Sequence, residues 1–345
     1  MAVQEALQGR TQAELGELLA QWGQPAFRAA QLFGWLQRGV PFAGMTNLPA
    51  ALRERLAAEE PVPPVAVLEQ VRSALDGTVK LLYRLADGHV VEGVIMRYQH
   101  GATLCLSTQV GCAMGCAFCA STLEGCVRDV TAAEMIGQVQ CANVVLDGQE
   151  RVHNVVLMGS GEPLANYDRV VRFLRLLRDP AGLNIGLRNV SLSTCGLVPP
   201  MLRFAQEGLP VTLSVSLHAP NDAIRAQIMP VARTYPMEAV LDACRVYLAE
   251  TGRRIIFEYI LIDGLNCAPE HARELASRLR GMQCHVNLIP LNAVQERALR
   301  PPGFAQVQGF LQQLEALHIS ATIRREMGDD IQGACGQLRR KHLAQ

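Results

Sequence analysis

Apolar positions along the chain change their spacing three times. Over residues 12–22 and 26–38 they recur every three or four residues, the period of an amphipathic helix, and a further helix follows the Asn47-Leu-Pro49 break. These predict a helical domain over residues 1–62, ending at Pro61-Val-Pro-Pro64. From 65 to 99 the period shortens, with Asp76-Gly77 and Asp87-Gly88 as turns, so residues 63–100 read as a linker and β-meander. Apolar runs then alternate with helical windows. The predicted strands are 103–110, 153–159, 189–194, 210–217, 254–261, 285–289 and 319–324. The predicted helices are 131–146, opened by the capping box Thr131-x-x-Glu134, then 167–178, 237–250, 269–280 and 304–317. Strands separated by such helices imply right-handed βαβ units and an α/β fold with a parallel sheet over residues 101–345, with function at the C-terminal ends of the strands.

Composition adds bounds. The chain has 345 residues, 49% hydrophobic and 19% charged, enough for one large domain and a smaller one. The first ten residues are polar and no apolar run approaches the roughly 18 residues of a membrane span, so a cytoplasmic protein with no membrane partner is expected. Eleven cysteines, an odd number without disulfide-scaffold density, fit a reducing compartment. With 32 basic and 32 acidic residues, the global field of a nucleic-acid binder is missing. Lysine occurs only at 80 and 341, so nearly every cation is an arginine, able to pair bidentately with phosphate and stack on bases.

The densest chemistry lies at Cys112, Cys116 and Cys119, a C-x3-C-x2-C spacing with glycines at 111 and 115 loosening the backbone. Three thiolates hold three irons of a [4Fe-4S] cube and leave the fourth open to a non-protein ligand, whereas a cluster that only moves electrons usually has four cysteines. Tetrahedral zinc is the alternative, with Cys105, Cys126 or His153 as fourth ligand. The spacing, with Phe118 before the third cysteine, resembles the signature of the radical S-adenosylmethionine (SAM) superfamily, in which the open iron chelates SAM. After the second strand, Gly159 and Gly161 let backbone approach a ligand, and Glu162 offers a carboxylate to an ammonium group. Beside a cluster loop this resembles the element that holds the SAM amino group. Ser191-Leu-Ser-Thr-Cys-Gly196, Ser214-Val-Ser-Leu-His-Ala219 and Asn287-Leu-Ile-Pro-Leu-Asn292 bring further hydroxyl and amide groups to the same rim. Singly, such residues more often satisfy local backbone; their recurrence at successive strand ends favours a site.

Six co-linear motifs extend the resemblance: Cys105 to Cys119, Met158 to Pro163, Ser216-Leu-His-Ala-Pro-Asn-Asp222, Asn287 to Asn292, Thr322-Ile-Arg-Arg325 and Ala334-Cys-Gly-Gln-Leu338. Together, over residues 12 to 341, they resemble the RlmN/Cfr family of radical SAM RNA methyltransferases. The resemblance implies a partial (β/α)6-type radical SAM barrel with an N-terminal RNA-binding helical domain and a β extension. It implies a [4Fe-4S] cluster on Cys112, Cys116 and Cys119, and SAM held by Gly161, Glu162, Ser193, Ser216, Leu217, His218 and Asn292. The implied reaction is methylation of adenosine C2 in 23S rRNA and tRNA, with Cfr-like C8 methylation of 23S rRNA as the alternative. Adenine C2 is an electron-poor carbon without a lone pair, so ordinary transfer from SAM fails and a radical route is needed. In the family a first SAM methylates a cysteine, by position Cys335, and a radical from a second SAM activates that methyl group. After addition to the base, Glu92 stands where the family places its catalytic glutamate and Cys105 resolves the adduct through a disulfide with Cys335. An electron donor such as flavodoxin or ferredoxin is implied, and a monomer is expected. The chain departs from the family pattern at Ser160, Cys195, Gly333 and Cys126, none of them a cluster ligand or mechanistic cysteine.

Overall fold

The computed structural model of the chain describes residues 4–148, 150–292, 298–325 and 327–331. Three helices come first: α1 (Gln12–Gln21), α2 (Arg28–Gln37) and α3 (Ala50–Glu59). Thr11 and Glu14 cap α1 reciprocally. Leu15 and Leu19 are buried, as are Leu32, Phe33 and Leu36 of α2, so the apolar stripes fix which faces turn inward. Next come β1 (Val65–Arg72), β2 (Val79–Leu85), β3 (Val90–Tyr98) and β4 (Gly101–Cys105), an antiparallel run. Gly77 and Gly88 take positive φ at the two predicted Asp-Gly turns.

A short pair, β5 (Gln109–Gly111) and β6 (Cys126–Asp129), stands apart from the main sheet. Then follow α4 (Ala132–Val145), β7 (Val152–Leu157), α5 (Tyr167–Leu177), β8 (Val190–Thr194), α6 (Val198–Ala205), β9 (Thr212–Ser216), α7 (Asp222–Ile228), α8 (Met237–Thr251), β10 (Ile255–Leu261), α9 (Pro269–Leu279), β11 (Cys284–Pro290), α10 (Phe304–Ala316) and β12 (Ala321–Ile323). The ten-stranded sheet has the order β1-β2-β3-β4-β7-β8-β9-β10-β11-β12, parallel from β4 onward. The meander is thus continuous with the barrel wall. The N-terminal helices pack on its outer layer. Arg172 of α5 donates two bonds of 2.7 Å to Glu14, and Glu5 accepts from Ala133 N–H (2.7 Å) at the start of α4.

The predicted strand 103–110 breaks after β4. Ser107 Oγ donates to Glu92 O (2.7 Å) and accepts from Ser160 N–H (3.0 Å), while Thr108 and Gln109 N–H both reach Ser160 O. These local bonds replace ladder bonds and turn the chain across the end of β7. The crossing explains the glycines at 159 and 161. A Cβ at Gly159 would stand 2.6 Å from Leu106 O, and one at Gly161, where φ is +110°, 2.6 Å from Gln109 N. Their smallness admits the protein's own backbone, where the sequence suggested room for a ligand. Helices α6 and α7 were not predicted. Pro199 and Pro200 open the first and Asn221 caps the second, both start signals on helices of only 8 and 7 residues.

From β8 to β11 the two sheet faces differ. Leu192, Leu213, Val215, Phe257 and Leu288 are fully buried against the helices, while the alternate positions Ser191, Ser193, Ser216 and Asn287 are only half-buried. Parallel strands covered on both faces read as continuous apolar runs. These alternate, so the second face lines a lumen.

Candidate active site

The loop carrying the three thiols joins β5 to β6 at the C-terminal rim of the lumen. Gly111, at φ +81°, lets the strand meet Gly125 O closely, and Cys112 N–H donates to that same oxygen at 2.8 Å. Ala117 N–H donates to Ile228 O (2.8 Å) at the end of α7, and Thr122 Oγ1 donates to Cys119 O (2.9 Å). Cys112 and Cys116 are buried and Cys119 is half-buried. Burial, then Cys119 and Glu162 among its neighbours, pushes the Cys112 thiol up to about 12. Cys116 is pushed higher by burial, Cys119, Cys112 and Glu162. The three thiols are therefore electrostatic neighbours that resist ionising together. Bound iron reverses this, since a coordinating thiol is deprotonated outright, and a soft all-sulfur donor set suits an iron–sulfur cluster. Among the described residues no three ligand side chains surround a single-ion position. Of the suggested fourth zinc ligands, Cys105 sits on β4 in a separate apolar cluster and His153 lies beside Gly101 at the start of β4, far along the strand from the rim; Cys126 alone is near Cys112.

Phe118 packs edge-on against His218, with ring centroids 4.7 Å apart. His218 takes φ +58°, and its Nδ1 accepts from Ile260 N–H (3.0 Å), which puts the proton of the neutral ring on Nε2. Burial, then Arg225, lowers its pKa to about 3. Glu162 is buried with its pKa raised by burial; its carboxylate accepts from Cys195 N–H (2.7 Å) and Leu164 N–H (3.0 Å). The side chains of Cys195 and Thr194 bond the same carboxylate, so most of its roughly four acceptor sites are taken and the ends of β7 and β8 are tied together. Ser193 and Ser216 are half-buried on the lumen face, Leu217 N–H donates to Glu258 O (3.1 Å), and Asn292 is exposed beyond β11.

Cys105 is opposite Val94 in the sheet, two positions from Glu92, so both side chains share the lumen face. Lys80, opposite Val94 on the other side, joins them, with Nζ 3.6 Å from Glu92 Oε2 and both side chains buried. Cys335, with Gly333, Arg339 and Arg340, lies outside the described residues. No disulfide forms among the described cysteines, so the expected Cys105–Cys335 bond is not borne out. Sequence reasoning missed Lys80 and Arg225. Lys80 had a signal, being one of two lysines in an arginine-rich chain; Arg225 had only its place between Ile224 and Ile228 on a short helix.

A three-thiol loop over the C-terminal rim of an open α/β wall with a polar lumen defines a radical SAM enzyme. Residues 106–278 match the radical SAM superfamily, and residues 6–62 match the ribosomal RNA large subunit methyltransferase N-terminal domain. A probable dual-specificity RNA methyltransferase RlmN of Alkaliphilus oremlandii (strain OhILAs) is 50% identical over 334 residues, 96% of this chain and 97% of the relative. One from Symbiobacterium thermophilum is 51% identical over 98% of this chain and 93% of the relative. The solved structure of a radical SAM methyltransferase from Sphaerobacter thermophilus superposes with a TM-score of 0.93 at 45% identity, covering 97% of this chain and 99% of that one. The chain belongs to the RlmN family of radical SAM RNA methyltransferases, enzymes that use a [4Fe-4S] cluster and SAM. These names do not favour the Cfr-like C8 alternative.

Proposed function

We propose that the protein methylates C2 of adenosine in 23S rRNA and tRNA, with Cys112, Cys116 and Cys119 as cluster ligands. The observation that carries this reading is the placement of Cys105 and Glu92 together on the lumen face, just below the thiol loop. A site that only generates radicals needs neither. Substitution at C2 needs a base for the displaced proton and a thiol to release the modified nucleotide. Glu92 is the base and Cys105 the releasing thiol, while Cys335 carries the methyl group. When bound, the cluster and SAM supply a 5′-deoxyadenosyl radical. Glu162, by its charge, and the main chain of Gly161 hold the SAM amino end; Ser193, Ser216, Leu217, His218 and Asn292 hold the rest. Neutral His218, wedged between Phe118 and β10, fixes the rim height of the thiol loop.

Residues 1–62 form the RNA-binding accessory domain, 63–100 the β extension and 101–345 the radical SAM core. The protein works as a cytoplasmic monomer supplied with electrons by a flavodoxin or ferredoxin; no described helix is long and apolar enough to cross a membrane. The test separates the two cysteines. Cys105→Ala acts too late to prevent addition to the base, so it stalls with RNA covalently attached; Cys335→Ala leaves RNA untouched. Denaturing gels of each variant expressed in cells, with and without ribonuclease, read the difference. A ribonuclease-sensitive upshift in Cys335→Ala, or none in Cys105→Ala, overturns the assignment.

A further inference from the structure

Arg225 of α7 is completely buried. Its Nη2 donates to Cys195 O (2.7 Å) and its Nη1 to Tyr235 O (3.2 Å), while Nε has no hydrogen-bond partner. None of the ion pairs among the described residues includes it. Asp222, on its own helix, is near enough to favour the guanidinium's charge, but it accepts from Met237 N–H (2.7 Å) and makes no ion pair with Arg225. A guanidinium cannot escape by losing its proton, so burial without a directly paired anion is unfavourable, and an anionic group held nearby lowers that cost.

Both ends of its surroundings lead to the thiol loop. Cys195, whose carbonyl it holds, packs with Cys116, Ile228 and Met229 in one apolar cluster, and Ile228 O accepts Ala117 N–H between the second and third thiols. Three thiolates around a [4Fe-4S] core leave a net negative group, and each electron taken up adds to it. Reduction potentials of such clusters follow net charge and hydrogen bonding nearby.

We propose that Arg225 is a positioning residue of the iron–sulfur site, the buried counter-charge that stabilises the cluster most in its reduced state and so raises its reduction potential. This rests on the reading of the three cysteines as cluster ligands and not on the RNA substrate. Two carbonyl bonds alone would make Arg225 a clamp between β8 and the segment before α8, and the experiment distinguishes the two roles.

Full-length protein, reconstituted anaerobically with iron and sulfide, is titrated with reductant while the reduced cluster is followed by electron paramagnetic resonance. At the wild-type midpoint, Arg225→Gln should show a reduced-to-oxidised ratio smaller on the order of tenfold, the effect of one charge removed at low dielectric, equal to about 59 mV for a one-electron couple. Arg225→Lys, which keeps the charge, should stay near wild type. A wild-type midpoint in Arg225→Gln with full iron content overturns the proposal. Where Arg225→Gln holds no iron, Arg225→Lys decides: iron retained at the wild-type midpoint supports it, and equal loss of iron leaves only the clamp. A wild-type protein that takes up no cluster refutes the cluster reading beneath it and is scored as that failure.

Discussion

The two faces of β8 to β11 are made by alternate residues of the same strands, yet they do opposite work. On the helix side, Leu192, Leu213, Val215, Phe257 and Leu288 are sealed, and each such side chain contributes about 1.5–3 kcal/mol by leaving water. On the lumen side stand Ser193, Ser216, Asn287 and Glu258. Ser214 Oγ there is buried without a hydrogen-bond partner, and Glu258, its pKa raised by burial, takes one bond from Asn287 Nδ2 (2.8 Å). One face supplies stability; the other keeps polar groups at the lumen, one of them, Ser214, without a hydrogen-bond partner. The contrast shows where selection for packing ends and selection for chemistry begins.

The comparison breaks most plainly at the thiol loop. Cys116→Ala should abolish iron binding and methylation while shifting apoprotein unfolding by only about 1 kcal/mol; full iron content with normal turnover would remove the loop from the site. Phe257→Ala, on the helix face, should cost about 3–5 kcal/mol in denaturant unfolding, and a cost below 1 would show that this face is not the stabilising one. Lys80→Met leaves Glu92 buried without its ammonium and should cost about 3 kcal/mol. Adding Glu92→Gln should restore much of that stability but none of the methylation, measured by denaturant titration and by mass spectrometry of RNA. His218 sharpens the contrast through pH. Its folded value of about 3 lies below the ordinary 6.5 of a free imidazole, so only the unfolded state takes up a proton between these values. Stability is complete above about 6.5 and falls as pH drops toward 3, by roughly 1.4 kcal/mol at pH 5.5. His218→Asn should lack this component when apoprotein unfolding is compared at pH 7.5 and 5.5. Least of all, Ser193→Ala should move unfolding by no more than about 0.5 kcal/mol while raising the KM for SAM.

Much of the wall was legible because its signals are local. The alternation of β8 and β9 and the capping box of α4 are written in consecutive residues. The thiol loop was legible for the same reason, three ligands lying within eight residues. What escaped depends on partners distant in sequence. The bend after Leu106 is made by Ser107 and Ser160, 53 residues apart, and apolar spacing alone read it as unbroken strand. The pairing of Lys80 with Glu92 needs the β2–β3 register, which no pattern of residue types supplies. Arginine is mostly a surface residue, so nothing in the spacing marked Arg225 as buried. Glu92, Cys105 and Cys335 carried their roles through family resemblance, and the fold places the first two on one face.

The wall is not closed by strand pairing. β1 and β12 stand at opposite ends of the strand order, and among the described residues no strand pairing joins them; the segment after β12 bridges them instead, Asp330 accepting from Ser73 Oγ (2.6 Å) and Ala74 N–H (2.9 Å) in the β1–β2 turn. A closed cylinder offers its interior only through its mouths, which suits a small molecule or a chain end. A wall that its strands leave unclosed has a wider mouth. A nucleotide inside a long polymer has neighbours before and after it and no end to thread, so it enters as a loop whose flanking strands stay outside. The mouth thereby sorts by mechanics before any base is read: a residue that swings out on its backbone reaches the interior, and one locked in a duplex must first be unstacked, at a cost of a few kcal/mol.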